Sequence, residues 1–170
     1  MLYERLERLG AHISHLSSLA VPKPMKKIKY NFSHLTKKCL NEIVRNNPGC
    51  NVSFNREENL PPVYMDLSQI EFAVEQISQS FIDMNTGKKE LVVSTSKNNS
   101  MAKITLTLNG KKRLQKNKGT EVFDLVADPE KGYSFALASS IIRSHGGDLE
   151  FESTEGSIKT IYFCLPLNEM

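Results

Sequence analysis

The side chains capable of chemistry in this 170-residue sequence fall into a few separated groups. His12 and His15 lie in an N-terminal stretch of helical periodicity, and an imidazole exposed on a helix face beside a carboxylate is what a phosphoryl acceptor requires. Leu16 follows His15, which favours reading both histidines as solvated or flanking an apolar seam. His34 stands alone. His145 falls where a helix would close its last turn, a position at which the helix dipole favours the charged ring. Cys39, Cys50 and Cys164 are far apart and show neither Cys-x-x-Cys nor Cys/His spacing, which argues against a zinc site and a disulfide framework and fits a reducing, cytoplasmic setting. Gln76, Ser80 and Asp83 recur at helical spacing as a polar stripe. Lys111–Gly119 is basic and poor in apolar residues, so its lysines can attract a triphosphate or an acidic partner, although such a loop is more often simply solvated.

The elements that must position these groups follow from periodicity. Leu2, Leu6, Leu9, Ile13, Leu16 and Ala20 alternate steps of four and three, which places them on one narrow helical seam ended by Pro22 and Pro24. Such a seam either pairs with a second copy or lies on its own domain. Phe32, Leu35, Cys39, Leu40 and Ile43 make an amphipathic helix, Asn47-Pro48-Gly49 breaks it, and Val52 and Phe54 begin a strand. After Leu60-Pro61-Pro62-Val63, Asp66 or Ser68 caps a helix whose buried face is Ile70, Ala73, Val74, Ile77 and Phe81. Lys89–Ser96 and Lys103–Leu108 read as a hairpin turning at Asn98-Asn99-Ser100, and Lys111–Gly119 as a mobile loop beyond it. Phe135, Ala138, Ile141 and Ile142 then mark a helix stopped by Gly146-Gly147, after which Leu149, Phe151, Ile161, Phe163 and Leu165 outline two antiparallel strands with one buried face.

Length fits one globular domain with a small appendage. A formal charge of +3 does not imply strong attraction to nucleic acid, and the basic stretches lack interleaved stacking aromatics, so a nucleic-acid-binding module ranks low. No apolar run approaches the length of a membrane span.

The order Gly132-Tyr133-Ser134-Phe135-Ala136, helix, His145-Gly146-Gly147, strand resembles the nucleotide-binding end of bacterial sensor histidine kinases, the histidine-kinase-like ATPase (GHKL) class, and the resemblance extends over nearly the whole chain. It implies an α+β sandwich: a mixed, mainly antiparallel sheet with three helices on one face and a projecting N-terminal helix. It also implies a division into a partial dimerisation and phosphotransfer-type helix (1–21), a linker (22–30) and an ATPase domain (31–170). In such kinases an Asn-x-x-x-Asn pair holds the magnesium that bridges the ATP phosphates, and here Gln76 and Ser80 stand at those positions. The family's Asp-x-Gly-x-Gly, whose aspartate accepts from the adenine amino group, corresponds to Leu108-Asn109-Gly110-Lys111-Lys112, and the second glycine of the family's Gly-Leu-Gly-Leu-Ala is Ser134. By this resemblance Gln76, Ser80, Asn109, Gly110, Gly132 and Ser134 would line an ATP pocket, with the N-terminus of the helix after Gly132 facing phosphate. The replacements point to a pseudokinase docking or phosphorelay module in two-component signalling with weak or lost binding of ATP and magnesium. The alternative is an active kinase domain. The implied partners are a response regulator and a second copy of the chain, joined through Leu2, Leu6, Leu9, Ile13 and Leu16.

Overall fold

The computed structural model of the chain describes residues 3, 6, 7, 10, 24–85, 89–108, 115–118, 129–154 and 157–167. Its three long helices begin where the sequence offers a cap. Asn31 accepts through its side chain from the His34 N–H and opens α1 (Phe32–Asn46), while Asp66 accepts from the Gln69 N–H and opens α2 (Leu67–Asp83). The third helix, α3, runs Pro129–Ser144 and starts on a proline, whose fixed φ and missing N–H suit the first helical position.

The described residues also form eight strands: β1 (Lys27–Tyr30), β2 (Cys50–Arg56), β3 (Val63–Asp66), β4 (Lys89–Asn98), β5 (Met101–Leu108), β6 (Gln115–Lys118), β7 (Asp148–Thr154) and β8 (Ser157–Pro166). Six of them form a mixed sheet in the order β2-β4-β5-β8-β7-β6, in which only β2 and β4 are parallel. β1 and β3 make a separate antiparallel pair. Alternation decides which face is covered. Along β5, Ala102, Ile104, Leu106 and Leu108 are fully buried while Met101, Lys103, Thr105 and Thr107 are only half-covered. The buried face packs on all three helices through Phe32, Leu35, Ile70, Ile77, Phe81, Phe135 and Ile142. This is the expected α+β sandwich. Every residue read as the apolar face of α2 is buried, as are Leu149, Phe151, Ile161, Phe163 and Leu165.

Three expectations need revision. Lys111–Gly119 was expected as a mobile loop, but Gln115–Lys118 pairs antiparallel with Lys118 beside Glu150 and Lys116 beside Glu152, so its middle is an edge strand. The stretch expected as linker contains β1, which pairs Lys27 with Asp66 and Tyr30 with Val63. The β4–β5 hairpin is tighter than expected: Asn98 pairs with Met101 and the turn is Asn99-Ser100, with Asn99 at φ 53, which asparagine tolerates better than most side chains. Of the N-terminal seam, Leu6 is helical and exposed, as are Tyr3, Glu7 and Gly10 beside it, while Leu2, Leu9, Ile13, Leu16 and Ala20 lie outside the described residues. No helix among the described residues is long and apolar enough to cross a membrane.

The Gly146-Gly147 pair closes α3 in two different ways. Gly146 has φ 79 and carries the left-handed step, its N–H donating to the Arg143 carbonyl. Gly147 is needed for space: a Cβ there would run into the Cys164 carbonyl of β8 and press on Ile142 and Leu165. Gly146→Ala should therefore cost about 1–2 kcal/mol, whereas Gly147→Ala should cost at least about 3 kcal/mol through backbone displacement. Chemical unfolding of the two variants checks the order, and equal losses would contradict it.

Candidate functional site

The polar stripe and the glycine segment lie on two helices, α2 and α3, that pack against each other. Gln76 and Ser80 lie one turn apart on α2; Gln76 is half-buried and Ser80 buried. Asp83, further along, is exposed and accepts from Gln79. On α3, Gly132, Ser134 and Phe135 are buried. At the end of β5, Leu108 is fully covered and belongs to the core cluster, so the position that the resemblance gives to an adenine-binding aspartate is occupied by packed hydrocarbon. Asn109 and Gly110 lie outside the described residues. Of the six expected site residues, Gln76, Ser80, Gly132 and Ser134 are thus placed on the two packed helices. Among the described residues no group of three or more His, Cys, Asp or Glu is arranged to hold a metal ion.

Gly132 does not stand at the N-terminus of α3 but inside the helix. Helix α3 begins three residues earlier, at Pro129, so the N–H at Gly132 falls where intrahelical bonding begins, and the free donors of the first turn belong to Glu130 and Lys131. The signal was present in the sequence: Asp128-Pro129-Glu130 has the cap, first-position proline and first-turn acid of a helix start.

His145 is the residue whose role the sequence concealed. It is expected to complete the last turn of α3, where the helix dipole favours the charged ring. Instead it is 2% exposed, and both ring nitrogens are engaged. Nδ1 lies 2.8 Å from the Ile141 carbonyl, which can only accept, so Nδ1 carries the proton. Nε2 is then free to accept, and the Asp66 N–H donates to it at 3.1 Å. Asp66 is the cap of α2 and also accepts from the Ser68 hydroxyl and the Lys26 N–H. One imidazole thereby ties the end of α3 to the start of α2 and to the strand pair β1–β3.

Burial pushes the His145 pKa down, and nearby Lys27 adds to this, outweighing the Ile141 carbonyl and Asp66. For Asp66, partial burial opposes ionisation, but the bonds from Ser68, Lys26 and Gln69 outweigh it and hold the carboxyl below its ordinary value. Elsewhere on α1 and α2, burial together with Glu75 and Glu71 pushes the Cys39 thiol up to about 12, leaving it unreactive as a nucleophile. A concavity of about 450 Å³, lined by Lys29, Pro61, Pro62, Lys97, Asn99, Ser100 and Leu167, opens at the hairpin end of β5, away from Leu108.

Because the fold favours neutral His145, the unfolded chain takes up this proton more readily. The stabilisation is complete above the unfolded value of 6.5 and is lost as pH falls through the depressed folded value. Urea midpoints should drop between about pH 7.5 and 5 in the wild type and change less in His145→Asn. His145→Ala should cost about 2–3 kcal/mol at neutral pH because the Asp66 N–H loses its acceptor. A pH slope unchanged in His145→Asn would assign the titration to another group.

No protein-family model matches this chain, and no curated protein matches it by sequence. Solved structures do match its fold. Histidine kinase AdeS of Acinetobacter baumannii superposes with a TM-score of 0.72 at 16% identity, covering 98% of this chain and 81% of that one. Histidine kinase ThkA, solved in complex with response regulator TrrA, gives 0.74 at 14% identity over 98% of this chain and 49% of that one. Full-length ShkA in complex with AMPPNP gives 0.73 at 11% identity over 95% of this chain and 36% of that one. The layer order, the α2–α3 junction and these superpositions together establish that the chain has the fold of the histidine-kinase catalytic domain, a GHKL-like ATPase fold.

Proposed function

We propose that this chain is a histidine-kinase-like module of two-component signalling whose nucleotide site has degenerated, and that it works by docking rather than by phosphorylating. The observation that carries this reading is Leu108, fully buried in the apolar core where a nucleotide-binding member of the class needs an aspartate. A buried adenine amino group facing a leucine would lose its acceptor, at a cost of about 1–3 kcal/mol. Gln76 and Ser80 add to the misfit. Magnesium demands short oxygen contacts in near-octahedral geometry, and the Ser80 hydroxyl is shorter than the asparagine it replaces and already buried on α2. These residues do not fit magnesium-ATP. Docking to a response regulator is supported by ThkA, which has this fold and was solved with one.

The exposed Leu6 supports a second contact. If the seam Leu2, Leu6, Leu9, Ile13 and Leu16 pairs with that of another copy, each covered leucine contributes about 1.5–3 kcal/mol, enough in sum for micromolar association after ordering costs. In this reading residues 1–21 are the remnant of a dimerisation helix, and the N-terminal histidines are bystanders.

Titration calorimetry with ATP and magnesium tests the proposal. Binding weaker than about 1 mM, or none, is expected; a low-micromolar constant would overturn it in favour of an active kinase domain. Leu108→Asp should not restore binding. It should destabilise the fold by about 3–5 kcal/mol, since it leaves an unpaired carboxylate in the core. A Leu108→Asp protein that keeps its melting temperature and gains ATP affinity would show that a pocket persists beside this position.

A further inference from the structure

The edges of the sheets are not equally protected. The six-stranded sheet ends at β6 on one side and at β2 on the other, and the smaller sheet has β1 and the four-residue β3 as its edges. β6 has four residues and includes Lys116 and Lys118; β1 has four and includes Lys27 and Lys29. Short strands and lysines are the usual means of keeping an edge from pairing with other chains. β2 has neither. It has seven residues, Cys50 to Arg56, with no lysine and no proline, and its one charge is at the last position. Among the described residues its outer edge faces no strand.

The surroundings of β2 are also more apolar than a solvated edge requires. Ser53 pairs in register with Val92 of β4, which is 39% exposed, and α1, which packs on β2, carries Val44 at 45% exposed. On the strand itself Asn51, Ser53 and Asn55 point to the uncovered face of the sheet, while Val52 and Phe54 point to the helix side and are half-buried.

We propose that β2 is a pairing edge for a second copy of this chain, joined antiparallel about a two-fold axis through Ser53. The sequence of the strand selects this register. It sets Val52 against Phe54 twice, Asn51 against Asn55 twice and Cys50 against Arg56 twice, so a β-branched side chain meets an aromatic and amide meets amide. No like charges face each other: Arg56 lies opposite a thiol, and Glu57 beyond it lies opposite Gly49. A parallel pairing would stack Arg56 on Arg56. An antiparallel register centred on Val52 or Phe54 would leave residues unpaired, and a shift by one residue would set the uncovered face against the helix side. The result is one continuous sheet across both copies, built from main-chain hydrogen bonds with apolar flanks.

The test is made on the full chain in a Leu9→Asp, Ile13→Asp background, which removes the N-terminal seam. Sedimentation equilibrium should show a concentration-dependent dimer. Ser53→Lys or Ser53→Glu, each placing like charges opposite each other at the two-fold axis, should raise the dimer dissociation constant at least about tenfold. Mixing the two variants should restore a heterodimer. Circular dichroism melts control for folding. Independently, Ser53→Cys in the otherwise unaltered chain should form an intermolecular disulfide between the two introduced thiols on mild oxidation, located by peptide mapping. A folded protein that stays monomeric throughout, or a dimer indifferent to Ser53→Lys, would overturn the proposal and leave the edge to a strand from another protein or to solvent.

Discussion

The most consequential contact in this molecule is the pair of hydrogen bonds made by a single buried imidazole. His145 donates to its own helix at Ile141 and accepts from the backbone of Asp66, 79 residues away. Neither bond is strong by itself, yet they fix the tautomer of the ring, the end of α3 and the capping residue of α2 together. Because Asp66 is also the last residue of β3 and holds the Lys26 N–H, the small sheet is anchored through the same point. The glycine next but one to the ring then lets β8 approach the turn at a distance that no side chain would permit. The His-Gly-Gly motif is thus a structural joint: one residue provides the polar link, one the left-handed step and one the close approach.

Similar polar links tie α1 to its neighbours. The Ser33 and Thr95 hydroxyls meet at 2.9 Å in a buried contact between α1 and β4, and the Asn47 and Gln79 side-chain amides exchange two hydrogen bonds between the end of α1 and the C-terminal part of α2. Each satisfies groups that would be costly to bury alone, so they specify how the helices sit on the sheet more than they add stability. The Lys38–Glu71 ion pair on the same two helices is largely exposed and contributes little.

Much of this fold was legible in the sequence because its elements are amphipathic. Ile70, Ala73, Val74, Ile77 and Phe81 could be read as one buried face because helical spacing left no other way to cover them, and the β5 and β8 alternations were as clear. What escaped reading depended on partners distant in the chain. β6 is Gln-Lys-Asn-Lys, with no apolar pattern of its own, and exists as a strand only because β7 offers a free edge. The burial of His145 depends on Asp66. The start of α3 was legible in principle from Pro129, but the glycines downstream were the louder signal. The burial of Leu108 follows from the same alternation that buries Ile104 and Leu106, whereas its consequence for the expected site depends on the neighbouring elements and not on β5 alone.

The order of strands carries a consequence for how the chain reaches its native state. The centre of the main sheet is the pairing of β5 with β8, where Met101 meets Pro166 and Thr107 meets Thr160. Among the described residues the one long local unit within that sheet before β7 is the β4–β5 hairpin, since β2 must wait for β4 across β3 and α2. A growing chain therefore carries one unpaired side of β5 until β8 is synthesised, and β7 cannot attach to the rest except through β8. Assembly is dominated by contacts between distant residues, which slows folding and prolongs the exposure of apolar strands. β8 is thus the keystone of the sheet, and a chain lacking Ser157–Pro166 would hold two separate fragments of sheet, β2-β4-β5 and β7-β6, rather than a smaller version of the whole.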